Sequence, residues 1–147
     1  MRGGNNNMQR IQCKRIKGFR LPPRSFRCDR SSKFGNPYVA ERLPDRHVFP
    51  PLWRVRIFRS PYKYGLYSIE SDAVHAACEY YREWLENTDE GRKYLRLAHE
   101  RLSGMDNLAC WCALDEECHV DILIECLGRP SLYGLLAGAK GNHEYIG

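Results

Sequence analysis

The apolar positions change period twice along the chain. Ile11, Cys13 and Ile16 alternate loosely and predict a short strand within Gln9–Arg15, broken by Gly18 and the Pro22-Pro23 pair. Ser25–Asp29 predicts a second short strand that ends at the polar run Arg30-Ser31-Ser32. Lys33–Tyr38 reads as loop, because Pro37 lacks a backbone donor and Gly35 and Asn36 tolerate left-handed geometry. Within residues 41–63, Pro44, Pro50, Pro51 and Pro61 argue against a helix. There Trp53, Val55 and Ile57 alternate with Arg54, Arg56 and Arg59, the pattern of a half-buried strand or extended edge. Arginines on the open face of an edge strand block aggregation, an alternative to reading them as a nucleic-acid stripe.

From Ser71 the period becomes helical. Ser71 suits an N-cap, and Ala73, Val74, Ala77, Tyr80, Tyr81, Trp84 and Leu85 recur at helical spacing, as core stripes do. A second helix is predicted over Asp89–Leu102, with Tyr94, Leu95, Ala98 and Leu102 inward and Gly104 placed to end it. Asn107–Cys112 reads as a short buried strand and Ala113–Asp115 as a turn. Asp115 then caps a helix beginning at Glu116, with Val120, Leu123, Ile124 and Leu127 as its core stripe and Gly128 as its stop. These elements predict an unstructured start over residues 1–8 and a single α/β domain over 9–128, with 41–63 a candidate insertion. A glycine-rich tail follows over 129–147, in which Leu132, Tyr133, Leu135 and Leu136 form a candidate docking patch. The expected architecture is a compact domain with a short, largely parallel sheet of three to five strands flanked by helices.

Composition adds limits. A 147-residue chain that is 43% apolar and 28% charged supports one core. No stretch approaches the roughly 18–20 apolar residues of a membrane span. Seven cysteines are an odd number, and the polar start has no apolar core of a secretory signal. Together these predict reduced thiols and a cytoplasmic location. Charge is uneven: residues 1–60 hold 15 Lys/Arg against three acids, a balance of +12, and the remainder balances at −7, giving the chain's +5. A basic half suits an anionic partner, unless the two halves neutralise each other in the fold.

The chemistry concentrates at the predicted strand–turn–helix, a place where free N–H groups and the helix dipole favour anions. Three readings stand side by side. Cys110, Cys112, Cys118 and His119 are a Cys3His set of the right number for zinc, but C-x-x-C pairs are absent. Cys118 and His119, as neighbours on a helix, would diverge, so the spacing does not favour a metal. Alternatively Cys118 is a nucleophile or hydrogen-bonding thiol, its pKa lowered in the first helical turn and opposed by Glu116 and Glu117. His119 is then the acid/base or phosphate contact and Asp121 orients a partner. Or the cysteines are small packers and His119 a satisfied polar group. No G-x-G-x-x-G, Walker, H-E-x-x-H or G-x-S-x-G motif is present, and the pattern defines no reaction.

Asn107–Cys112 followed by Cys118-His119-Val120-Asp121-Ile122-Leu123 resembles the "L-x-C-W-C … C-H-x-D-V/I-L" signature of a phage and bacterial family, domain of unknown function 4326. Arg10–Arg15 with Lys17–Pro22 is similar to its "R-x-x-R-K-R-x-K-G-W-x-x-P" opening, and Ser32–Tyr38 to its "S-K-W/F-G-N-P-F/Y" loop. The resemblance spans about residues 9–127. Cys13 and Phe19 stand where the family has a basic residue and a tryptophan, and Cys28-Asp29-Arg30 where it has "V-G-R". The resemblance implies membership and a host-cytoplasmic location if the chain is phage-encoded. It implies no activity.

A loop of Lys, Gly and Asn suits close approach to a ligand, and loops after strand ends are where open α/β sheets bind. The combined reading is a site for a nucleotide-like or other phosphate-bearing small molecule. In it Lys33 with Arg15 or Lys17 neutralises phosphate and Gly35 admits close backbone approach. Asn36 recognises base or sugar, and Phe34 or Trp111 stacks on the base. Cys112 and Asp121 border the candidate catalytic pair Cys118 and His119. A nucleic-acid-binding accessory protein and a phage inhibitor or adaptor of a host protein are the alternatives.

Overall fold

The computed structural model describes residues 7–45, 47 and 49–129. The chain order is β1 (Gln9–Gln12), β2 (Ser25–Arg27), β3 (Tyr38–Arg42), β4 (Trp53–Ile57), β5 (Lys63–Tyr67), α1 (Glu70–Asn87), α2 (Asp89–Leu102), β6 (Asn107–Cys110) and α3 (His119–Leu127). The tail patch after Pro130 and the first six residues lie outside the described residues. Met8, assigned to the start by pattern, is buried in the core.

Two sheets replace the one largely parallel sheet expected. In the first, β6 lies between β1 and β2 and runs parallel to both, pairing Arg10 with Leu108 and Phe26 with Leu108. Leu108 and Ala109 are fully buried, as a central parallel strand requires. In the second, β4 lies between β3 and β5 and is antiparallel to both, a pairing that short connections can make. The 41–63 segment therefore contains a central strand. Glu41 pairs with Arg54 across β3 and β4, and its carboxylate accepts from both Arg54 Nε (2.7 Å) and Arg56 Nε (2.8 Å). These arginines neutralise a neighbouring acid on a central strand and are not guards on an edge.

Helix α1 starts at Glu70, with Ile69 at the N-cap instead of Ser71. It buries Ala73, Ala77, Tyr81 and Leu85 at four-residue spacing. Only Thr88 separates α1 from α2. Its Oγ1 accepts from Gly91 N (2.9 Å) and donates to Trp84 O (2.7 Å), closing one helix while opening the next. Gly91 is obligatory for this close turn, since a Cβ there would lie 1.9 Å from Trp84 O.

Helix α3 starts at His119, not Glu116, and Cys118 is an extended N-cap (φ −149°, ψ 142°) instead of a first-turn residue. The cause is Arg10, whose side chain is 7% exposed. Its guanidinium donates to the carbonyls of Cys112, Ala113, Leu114 and Glu116 at 2.9–3.4 Å. Glu116 O, which would accept within a helix begun at Glu116, is committed to Arg10 instead. The segment closes as a turn, with Glu116 N donating to Ala113 O at 3.0 Å. Among the described residues no helix is long and apolar enough to cross a membrane.

Candidate functional site: a thiol–histidine cleft at the sheet edge

The carboxyl ends of β2 and β6 open on one cleft of about 400 Å³. After β2 come Asp29, Arg30 and Ser31; after β6 come Trp111 and Cys112; α3 contributes Cys118 and His119, and α1 supplies the wall through Val74 and Ala77. Asn36 and Tyr38 line the same cleft. Asn36 therefore lines the same cleft as Cys112, Cys118 and His119 although the two motifs lie far apart in sequence.

The loop residues meet there for structural reasons. Asn36 is buried: its Oδ1 accepts from Tyr38 N (2.8 Å) and its Nδ2 donates to Ala77 O (3.4 Å), so its amide is used by the fold. Phe34 is 1% exposed and packs edge-on against Phe26 and Tyr94. No face is left to stack on a base, and that expectation is withdrawn. Gly35 packs against its own chain: a Cβ would come within 2.7 Å of Arg30 Cα and Asp29 O. Lys33 borders an adjoining recess of about 550 Å³ with Phe58, Arg59 and Trp84, which shares Arg30, Ser31 and Asn36 with the cleft but not its thiols. Arg15 lies over the Trp111 ring, 4.4 Å from its centroid, while Lys17 is exposed and lines none of these recesses.

His119 is 6% exposed. Its Nε2 lies 2.9 Å from Cys28 O and 3.0 Å from Phe34 O. Two carbonyls can only accept, so Nε2 carries the proton and Nδ1 keeps its lone pair. Burial lowers the imidazole's pKa, in keeping with this neutral tautomer. A phosphate contact through Nε2 is excluded by these bonds. Nδ1 instead faces Cys118 Sγ at 3.9 Å. Asp121 is exposed and accepts from Arg10 Nε at 3.0 Å, so the partner it orients is Arg10.

The sulfurs of Cys110, Cys112 and Cys118 lie within 4.8 Å of one another, with 3.9 Å between Cys110 and Cys112. The expected divergence of Cys118 and His119 does not occur, because Cys118 precedes the helix. Nor is the Cys118 thiol lowered as a first-turn position would lower it. Contacts from Cys112 and Cys118 hold Cys110 well below its ordinary value, while Cys110 and Cys112, with burial, push Cys118 up. One thiolate held by two thiols is the direction this geometry supports. All seven cysteines are free of disulfides; burial pushes Cys28 and Cys78 up to about 12.

Pattern reading missed Arg10, Asp29, Arg30 and Tyr38. Asp29 accepts from Trp111 Nε1 at 2.8 Å and pairs with Arg27. Arg30 donates to Asn36 O (3.1 Å) and Tyr38 O (2.9 Å) at the cleft mouth. The one signal was position, since Asp29 and Arg30 stand at the end of a predicted strand. The basic first half is also partly spent internally, with Arg10 on Asp121, Arg24 on Asp106, Arg27 on Asp29 and Arg54 and Arg56 on Glu41.

A parallel sheet whose central strand delivers thiols to the start of a buried helix defines a small mixed α/β protein with a cysteine–histidine cluster at the sheet's carboxyl edge. The chain belongs to the family described as Domain of unknown function (DUF4326), whose model matches residues 11–129. No curated protein and no solved structure matches the chain significantly.

Proposed function

We infer that the protein binds a nucleotide-like or other phosphate-bearing small molecule in the cleft where β2 and β6 end. The observation that supports this reading is the cleft itself: about 400 Å³, at the carboxyl edge of a parallel sheet, where α/β folds place ligands. Its apolar wall, Val74 and Ala77, and the Tyr38 and Trp111 side chains suit a flat ring. Arg30 at the mouth suits an anion. Lys33, Lys17, Phe34 and Asn36 leave the proposed binding set, because they lie elsewhere or are consumed by the fold. No reaction is assigned.

The test is a thermal-shift screen of the full chain against nucleotides and inorganic phosphate, since a ligand of the native state raises the melting temperature. A nucleotide shift that disappears in Val74→Phe, a variant that fills the cleft from α1, is the expected result. No shift at millimolar ligand, or one untouched by Val74→Phe, rejects the reading. Binding of single-stranded or duplex nucleic acid with a steep salt dependence would favour the accessory-protein alternative instead.

A further inference from the structure

We propose that Cys110, Cys112 and Cys118 form a binding site for one thiophilic divalent cation of the zinc class. The three sulfurs already lie within 4.8 Å of one another. Zinc–thiolate bonds of about 2.3 Å in a tetrahedron place sulfurs about 3.8 Å apart, and Cys110 and Cys112 stand at 3.9 Å. One ion therefore fits with little rearrangement of the sulfurs.

Separate backbone settings bring the ligands together, and each is fixed. Cys110 ends β6, where its carbonyl accepts from Cys13 N at 2.8 Å. Cys112 lies in the loop gripped by Arg10, which bonds its carbonyl. Cys118 is the N-cap of α3, and its side chain makes no capping bond. The Cys118 sulfur is turned to the other two instead. Packing alone explains buried thiols singly. It does not explain three sulfurs converging at a cleft wall, one of them on the half-buried Cys112.

Charge is consistent with an ion. Three thiolates around a dication leave one net negative charge; Arg10, which bonds the Cys112 carbonyl, and Arg30, which lines the same cleft, are the cations placed to offset it. His119 stands beside Cys118 but outside the mutual spacing of the triad, so the triad is the ligand set. Three protein ligands leave a fourth position, and all three ligands line the cleft. The site requires no organic ligand, so it stands or falls apart from the nucleotide reading.

The decisive experiment is an anaerobic titration of the reduced full chain with Co²⁺, then Zn²⁺, without nucleotide. One equivalent of Co²⁺ is expected, with the intense ligand-field and thiolate charge-transfer absorption of a tetrahedral sulfur site, displaced by one equivalent of Zn²⁺. Cys112→Ser, at the least buried ligand, should weaken binding by about 100-fold or more while circular dichroism stays native. Cys126→Ala, outside the triad, should bind as the parent does. Failure of the chain to bind Co²⁺ when all seven thiols are titratable would overturn the site. So would Cys112→Ser binding unchanged, or a Cys110–Cys112 disulfide forming readily in the presence of zinc.

Discussion

Arg10 Nε and Asp121 Oδ1 lie 3.0 Å apart across 111 residues of sequence, and the same guanidinium holds the loop carbonyls of Cys112, Ala113, Leu114 and Glu116. This one side chain sets where α3 begins and hence that Cys118 precedes the helix. Arg10→Met should destabilise the fold by about 3 kcal/mol, as loss of a charged, multiply bonded group does. Arg10→Lys should recover little, because an ammonium cannot reproduce the planar fork. Urea unfolding gives the first value. Faster amide exchange over residues 112–118 would show the loop released.

Gly91→Ala should cost about 3 kcal/mol, since the new Cβ would collide with the Trp84 carbonyl, which is backbone and cannot step aside. Thr88→Ala, which removes the cap on Gly91 N and the hydroxyl's bond to Trp84 O, should cost about 1–2 kcal/mol. Thermal unfolding of both variants checks the order; a Gly91→Ala protein as stable as the parent would contradict the close helix turn.

Tyr94 joins α2 to the site loop: its hydroxyl lies 2.8 Å from that of Tyr81 and donates to Gly35 O at 3.3 Å. Tyr94→Phe should cost about 1–2 kcal/mol by leaving the buried Tyr81 hydroxyl and the Gly35 carbonyl without this partner. Denaturant midpoints at unchanged slope are the measure.

Burial alone would raise the Glu41 carboxyl, but hydrogen bonds from Arg56 and Arg54 outweigh it and hold the group below its ordinary value. A depressed carboxylate contributes stability above its unfolded value of about 4.3 and loses it as pH falls through the folded value. The parent should therefore exceed Glu41→Gln by about 1–2 kcal/mol at neutral pH, a modest figure for a partly exposed pair. The difference should shrink below about pH 4. Unfolding both proteins across pH 3–7 tests the sign.

Helix α2 was legible because the apolar period and the Gly104 stop agree over Asp89–Leu102. Likewise β4 and the buried run of β6 carried clear apolar patterns. The antiparallel sheet escaped because β3 and β5 are mostly half-buried or exposed and rich in polar and aromatic residues, so neither shows a clean alternation. The site was legible as a region: strand, turn and helix follow one another there in the expected order, although the strand ends at Cys110 instead of Cys112 and the helix starts at His119 instead of Glu116. Its internal geometry was not, because Asp115 reads as the natural cap until Arg10, far away in sequence, claims the carbonyls on either side of it. The loop misled in the opposite sense. Gly35 and Asn36 look like ligand groups, yet close packing and backbone bonds account for both.

The strand order β1-β6-β2 has a consequence for how the protein is made. During synthesis β1 and β2 emerge early but have no partner, since each pairs with β6 and not with the other. The antiparallel sheet β3-β4-β5 and the α1–α2 hairpin can assemble from neighbouring segments while that wait lasts. The parallel sheet closes only when Asn107–Cys110 leaves the ribosome and threads between two strands that precede it by some 80–100 residues. The strand that completes the sheet also brings the first of the clustered thiols. The cleft is therefore among the last parts of the molecule to exist, and a nascent chain halted before Asn107 has helices and a hairpin sheet but no site.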